Sequence, residues 1–216
     1  MSLPVIDPLG DSAVIVTFGY DVNRDMNELV ARRAESIRAA QIAGVTDVVP
    51  SYASLAVFFN PGDIRFEAVR DFVWSVISGE KETSQLSVLA GKLVRIATRY
   101  DGEDLDWVAD RTGLARHEVV EIHSSVEYRV LVMGFVPGFA YLGELDERLR
   151  LPRRDAPRKR VAAGSVAIAE FQTGIYPSST PGGWHLIGST AESMFDPRRY
   201  PPALLAVGDA VVFEPL

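Results

Sequence analysis

The chain has 216 residues, 47% hydrophobic and 24% charged, with a formal net charge of −7. That apolar content is enough for one large core or two small ones, and no apolar run approaches the roughly 20 residues that a membrane-spanning helix needs. The sequence holds no cysteine, which excludes disulfides, thiolate zinc sites, iron–sulfur clusters and a cysteine nucleophile.

The opening segment, MSLPVIDPLGDSAVIV, has neither a basic leader nor a small-residue cleavage site, so a cytoplasmic location is expected. Residues 13–18, AVIVTF, read as a buried strand. Over 23–43, Met26, Leu29, Val30, Ile37 and Ala40 recur at helical spacing. Asp25 with Glu28 resembles a capping box, and Gly44 is placed to end the helix. Residues 45–49 and 54–59 read as strands around a Pro50-Ser51 turn. Asn60-Pro61-Gly62 then turns into a second amphipathic helix marked by Phe66, Val69, Phe72, Val73 and Val76. This β-α-β-β-α order is most of a ferredoxin-like α+β unit. The polar stretch 78–92 predicts a boundary, giving domains at 1–85 and 86–216.

Residues 93–100, LVRIATRY, alternate apolar and polar and predict a strand. Two short helices follow at 105–112 and 116–124, joined at Gly113, then strands at 128–133 and 207–213. A paired-helix pattern suits a DNA-reading motif, but this segment carries Asp101, Glu103, Asp104, Asp106, Asp110, Glu118 and Glu121. Such a face repels phosphate, so no nucleic-acid partner is expected.

The stretch 134–190 differs in kind. It holds eight of the 17 glycines and five of the 13 prolines, the punctuation of tight turns between short strands. The pattern predicts a closed or nearly closed antiparallel β structure. Within it, 148–160 carries seven basic residues against one acidic, a net +6, which leaves −13 for the rest of the chain.

The motifs GFVPGFAYLG, LPRRDAPRKRVAAGSVAIA, QTGIYP and PGGWHLIG, in that order, resemble the KipI family. GDSAVIVTFG, GVTDVVPSYASLAVFFNP and FDPRRYPPALLAVGDAVVFEP extend the resemblance to nearly the whole chain. That family includes the B subunit of bacterial ATP-dependent 5-oxoprolinase, inhibitors of sensor histidine kinases, and subunit-1 regions of allophanate hydrolase and urea carboxylase assemblies. The resemblance implies a cyclophilin-like β-barrel for the second domain. It also implies ATP use at a site shared with or carried by partner subunits. The partners it implies are the A subunit and the KipA-like C subunit of a 5-oxoprolinase, or alternatively a sensor histidine kinase.

Candidate residues fall in three groups. Arg153, Arg158 and Arg160 lie in a basic loop stiffened by Pro152 and Pro157, and arginine forks match carboxylate or phosphate. The other reading of that loop is a solvated surface paired with Glu144, Asp146 and Glu147. Gln172, Thr173, Tyr176 and His185 offer hydrogen-bonding groups to a small polar ligand. Phe135, Pro137, Gly138, Phe139 and Tyr141 form an aromatic loop suited to a partner contact or a site mouth. GWHLIGST at 183–190 mimics a phosphate-binding loop, but Ser189 stands where the lysine is needed. His117, His123 and His185 lack metal-ligand spacing, so no metal site is expected. His123 reads as a packed, hydrogen-bonded residue at a helix end. No nucleophile motif is present, so no self-contained catalytic set is legible. Ala162, Glu170, Phe171 and Ser189 depart from the family pattern, which has proline, small residues, commonly glycines, and arginine at these places.

Overall fold

The computed structural model describes residues 4–20, 23–79 and 91–216. Two compact units result, Met1–Ala90 and Gly91–Leu216. The expected boundary at 85 lies outside the described residues.

Among the described residues the first unit contains β1 (Val5–Pro8), β2 (Ala13–Thr17), α1 (Arg24–Ala39), β3 (Val45–Pro50), β4 (Ser54–Phe59) and α2 (Phe66–Ser78). The sheet order is β1-β2-β4-β3, all antiparallel. Val30, Ala34 and Ile37 of α1 and Val69, Val73 and Ile77 of α2 pack with Val14, Val16, Val48, Leu55 and Val57 of the sheet. The helical and two-residue periods thus meet in one core. Asn23, not Asp25, caps α1, its side chain accepting the Met26 N–H at 2.9 Å. β1 escaped the sequence reading because it is four residues long, largely exposed and ends in proline.

The second unit contains β5 (Leu93–Thr98), α3 (Leu105–Thr112), α4 (Arg116–Ser124), β6 (Tyr128–Met133), β7 (Ala140–Gly143), β8 (Arg158–Val161), β9 (Ser165–Ala169), β10 (Gln172–Ile175), β11 (Thr180–Gly182), β12 (His185–Ser189) and β13 (Ala210–Pro215). Among the described residues its large sheet runs β12-β9-β10-β7-β6-β13-β5, and β8 with β11 forms a separate ribbon. Paired backbone bonds between Arg99 and Ser189, at 2.8 and 2.7 Å, join the two ends of the large sheet and nearly close it into a barrel. β13 runs parallel to β5. The barrel is therefore mixed, which corrects the expectation of a purely antiparallel one. A parallel pair between the first and last strands leaves no local signal in the sequence.

Ile96, Tyr128, Val130, Leu142, Ile168, Ile187, Val211 and Phe213 fill the barrel, and Leu105, Val108, Val119 and Ile122 of α3 and α4 pack onto the same core. Strand alternation sends the neighbours of these residues the other way. Ala167 and Ala169 of β9 and Leu186 of β12 join Phe139, Tyr176 and Trp184 in a second apolar cluster. That outer cluster carries the candidate site.

Candidate functional site

The aromatic loop is shaped by its turn. Pro137 and Gly138 occupy the centre of a turn closed by Phe139 N–H donating to the Val136 carbonyl at 3.0 Å. Gly138 adopts φ +85°, and a Cβ there would sit 2.6 Å from Phe195 Cβ. The turn sends Phe139 inward, 2% exposed, and Phe135 outward, 57% exposed. Phe139 makes edge contacts with Tyr141, Tyr176 and Trp184 at ring separations of 4.9, 5.5 and 5.6 Å. Phe139 is thus a core anchor, which corrects its reading as a partner-facing residue. Gly182 completes the packing, since a Cβ there would lie 2.2 Å from the Tyr176 hydroxyl.

These rings floor a concavity of about 360 Å³ lined by Phe135, Phe139, Tyr141, Tyr176, Trp184 and Arg153. Burial holds the Tyr141 and Tyr176 phenols above their ordinary range, so both remain neutral donors. With Arg154 also on its rim, the site is an apolar wall with two hydroxyls and two arginines, the composition of a pocket for a small acid.

The basic loop is held by acids that sequence reasoning missed. Asp104 is 5% exposed. Its carboxylate accepts from Arg158 Nη2 at 2.7 Å, Arg154 Nη1 at 3.1 Å and the Leu186 N–H at 2.7 Å. Glu103 pairs with Arg158 Nε at 2.7 Å. Arg158 is therefore committed within the chain rather than offered to a ligand. Arg160 donates to Ser179 Oγ at 2.9 Å. Asp146 and Glu147 pair with Arg148 and Arg150, not with the arginines of 153–160. Asp104 stands 50 residues before Arg154, and its sequence signal is only an acid placed before a helix.

Arg153 meets Glu170 at 3.4 Å. Glu170 opens the two-residue turn between β9 and β10 and adopts φ +56°, the left-handed region that glycine favours. Phe135, at φ +64°, shares this conformation. Non-glycine residues held there cluster at binding sites.

His185 faces a second concavity of about 440 Å³, lined by Trp107, Arg111, Pro152, Arg153, Arg154, Asp155 and Ala156. Gln172 and Thr173 reach neither concavity and are buried in the sheet. Thr173 Oγ1 donates to the Ala167 carbonyl at 3.0 Å and accepts from His123 Nε2 at 2.9 Å, while Tyr100 donates to His123 Nδ1 at 2.7 Å. His123 is fully buried, and burial lowers its pKa to about 3. It is a saturated core residue, not a base. Among the described residues no cluster could hold a metal ion, and no helix is long and apolar enough to cross a membrane. Residues 183–190 lie mostly on strand β12, not in the strand-to-helix turn of a phosphate-binding loop.

The B subunit of 5-oxoprolinase from Bacillus subtilis (strain 168) is 38% identical over 221 residues, covering 96% of this chain and 91% of the relative. The protein of the same name from Escherichia coli O157:H7 is 39% identical over 213 residues, covering 96% and 94%. The crystal structure of TTHA0988 superposes with a TM-score of 0.83 at 37% identity, over 94% of this chain and 40% of that longer chain. The Kluyveromyces lactis urea carboxylase shares the fold, with a TM-score of 0.77 at 19% identity over 99% of this chain and 22% of its own. The family described as carboxyltransferase domain, subdomain C and D, matches residues 4–205. Motif order, fold and relatives agree, and the chain belongs to this carboxyltransferase-domain family.

Proposed function

We propose that the chain is the B subunit of an ATP-dependent 5-oxoprolinase, a complex that opens the 5-oxoproline lactam to glutamate. The relatives that bear this name, at 38% and 39% identity over 96% of the chain, carry the reading. The geometry supports it. A five-membered lactam acid presents methylenes to an aromatic wall and a carboxylate to a guanidinium, the pairing offered by Tyr141, Tyr176, Trp184 and Arg153. An unactivated lactam resists water. Transfer of a phosphoryl group from ATP to its oxygen, with release of ADP, makes the carbonyl carbon electrophilic. Water adds there, the C–N bond breaks to free the amine, and a second water releases phosphate to leave glutamate.

This chain's residues seat the substrate. The remaining machinery comes from the A and C subunits, which complete the site from the exposed Phe135 side. In this reading the first unit is a ferredoxin-like variant whose fourth-strand position is taken by β1, and the second is a cyclophilin-like barrel working in the cytoplasm.

The test is reconstitution. The isolated chain releases no glutamate from 5-oxoproline, and release coupled to ATP turnover appears only when the A and C subunits are added. Arg153→Ala raises the KM of the reconstituted enzyme for 5-oxoproline by roughly tenfold or more. Lactam hydrolysis by the chain alone, or no effect of adding it to the partners, overturns the proposal.

A further inference from the structure

The concavity beside His185 shares Arg153 and Arg154 of the loop 152–157 with the aromatic one, but the rest of its lining is different. The loop is pinned at two points. His185 Nε2 donates to the Pro152 carbonyl at 2.8 Å, and the Arg154 N–H donates to the Gly183 carbonyl at 2.9 Å. A carbonyl only accepts, so the His185 proton resides on Nε2 and Nδ1 is a bare acceptor in the neutral ring. His185 is 2% exposed, and Nδ1 has no hydrogen-bond partner. Arg154, which lines the same concavity, likewise has its Nε buried without one. A buried orphan acceptor and a buried orphan donor are each costly unless something external satisfies them.

Three guanidinium groups, Arg111, Arg153 and Arg154, line the space against one carboxylate, Asp155. Arg153 and Arg154 have partners in Glu170 and Asp104. Arg111, exposed near the end of α3, has none among the described residues. The indole of Trp107 lies flat over the His185 ring at 4.5 Å and 15°, with 45% of its surface still open.

We propose that this cleft is a binding site for a phosphoryl group. A carboxylate at neutral pH satisfies the arginines but brings no proton for His185 Nδ1. A singly protonated phosphoryl group supplies both, with O–H for the imidazole and anionic oxygens for the guanidinium forks. Trp107 lines the cleft and stacks on the His185 ring, and its emission therefore reports occupancy. The shared chemistry fits free phosphate or the terminal phosphate of a nucleotide. The exposed face of Trp107 adds a stacking surface for a base only in the second case. The site goes beyond the lactamase reading and does not depend on it.

The experiment uses the full chain without partner subunits. Inorganic phosphate, ADP and acetate are titrated with calorimetry and tryptophan emission, and the His185 Nδ1 nitrogen resonance is followed by NMR. Phosphate and ADP shift the Nδ1 resonance and acetate does not. Arg111→Ala, which removes an exposed side chain and keeps the fold, weakens binding of both by roughly tenfold or more. Trp107→Phe silences the emission change, identifying its source. A stronger response to ADP than to phosphate, reduced by Trp107→Ala, identifies a nucleotide as the ligand. Equal responses identify free phosphate. No binding of either at about 10 mM, or equal binding of acetate, overturns the proposal. So does binding that leaves the Nδ1 resonance unmoved.

Discussion

His123 is a polar side chain spent entirely on the interior. Tyr100 and Thr173 occupy both its ring nitrogens, and Phe213 packs 4.5 Å from its centroid. In the unfolded chain an imidazole takes up a proton near pH 6.5, while burial lowers the folded value to about 3. Between those limits the unfolded state binds more protons, so acid favours unfolding. The contribution of neutral His123 is full above pH 6.5 and declines toward pH 3, by up to about 1.4 kcal/mol per pH unit. Melting temperatures measured from about pH 7 to about pH 4.5 therefore fall, and His123→Gln flattens that slope. The Asp146 carboxyl, held near 2 mainly by its hydrogen bonds from Arg148, acts only at lower pH and leaves this window clean. Glu170 carries a different cost, a left-handed backbone on a residue with a Cβ. Glu170→Gly relieves it and raises stability by about 1 kcal/mol, read as a higher melting temperature.

At the scale of elements, one carboxylate ties a helix start to a strand and to the basic loop. Asp104 precedes α3, bonds the backbone of β12 and pairs with two arginines. Asp104→Asn replaces one of the two carboxylates on Arg158, whose side chain is 15% exposed, with a neutral amide and leaves Glu103 as the other. The expected cost is roughly 2 kcal/mol in chemical denaturation, with faster amide exchange over 152–158. For the same reason Arg158 cannot be truncated without structural cost, although its place in a basic loop suggests a side chain free for a ligand. Long periodic elements are legible in the sequence. The spans 105–112, 116–124 and 54–59 coincide with α3, α4 and β4, because helical or strand periodicity and Gly113 state their limits locally. The irregular strands β7 to β12 are legible only as punctuated β structure, since three- to five-residue strands leave too few residues to show a period. Within the site, Arg153 and Tyr176 are both candidates from sequence and do share a concavity, with His185 across the loop. Asp104, Trp107 and Arg111 give no such signal, because nothing near them in sequence announces the partners that the fold brings from the distant 152–158 and 185–186 segments.

At the scale of the molecule, each unit closes around its own core, and the surface left for partners is read from what remains outside. Phe135 is the exposed member of an aromatic set whose other rings are buried or, for Tyr141, half-buried. Phe139→Asp places a charge inside that set and destabilises the barrel by about 4 kcal/mol or more. Phe135→Asp leaves circular dichroism and melting unchanged and, on the proposed 5-oxoprolinase reading, weakens pull-down of the C subunit. Binding of Phe135→Asp like that of the parent chain would remove Phe135 from the proposed contact.

The position of β13 sets the timing of folding during synthesis. It is inserted between β6 and β5 in the large sheet, although its residues, 210–215, are the last strand of this unit to be made. The first unit has all its described strands in hand by residue 59 and can condense while the ribosome is still reading the second. The barrel cannot close early. Until residue 215 emerges, β5 and β6 present open edges with no strand between them, and the pairings that fill the gap reach back from Ala210 to Arg129 of β6 and to Leu93 of β5. The nascent second unit is therefore the stretch that most needs shielding from other chains on the way out.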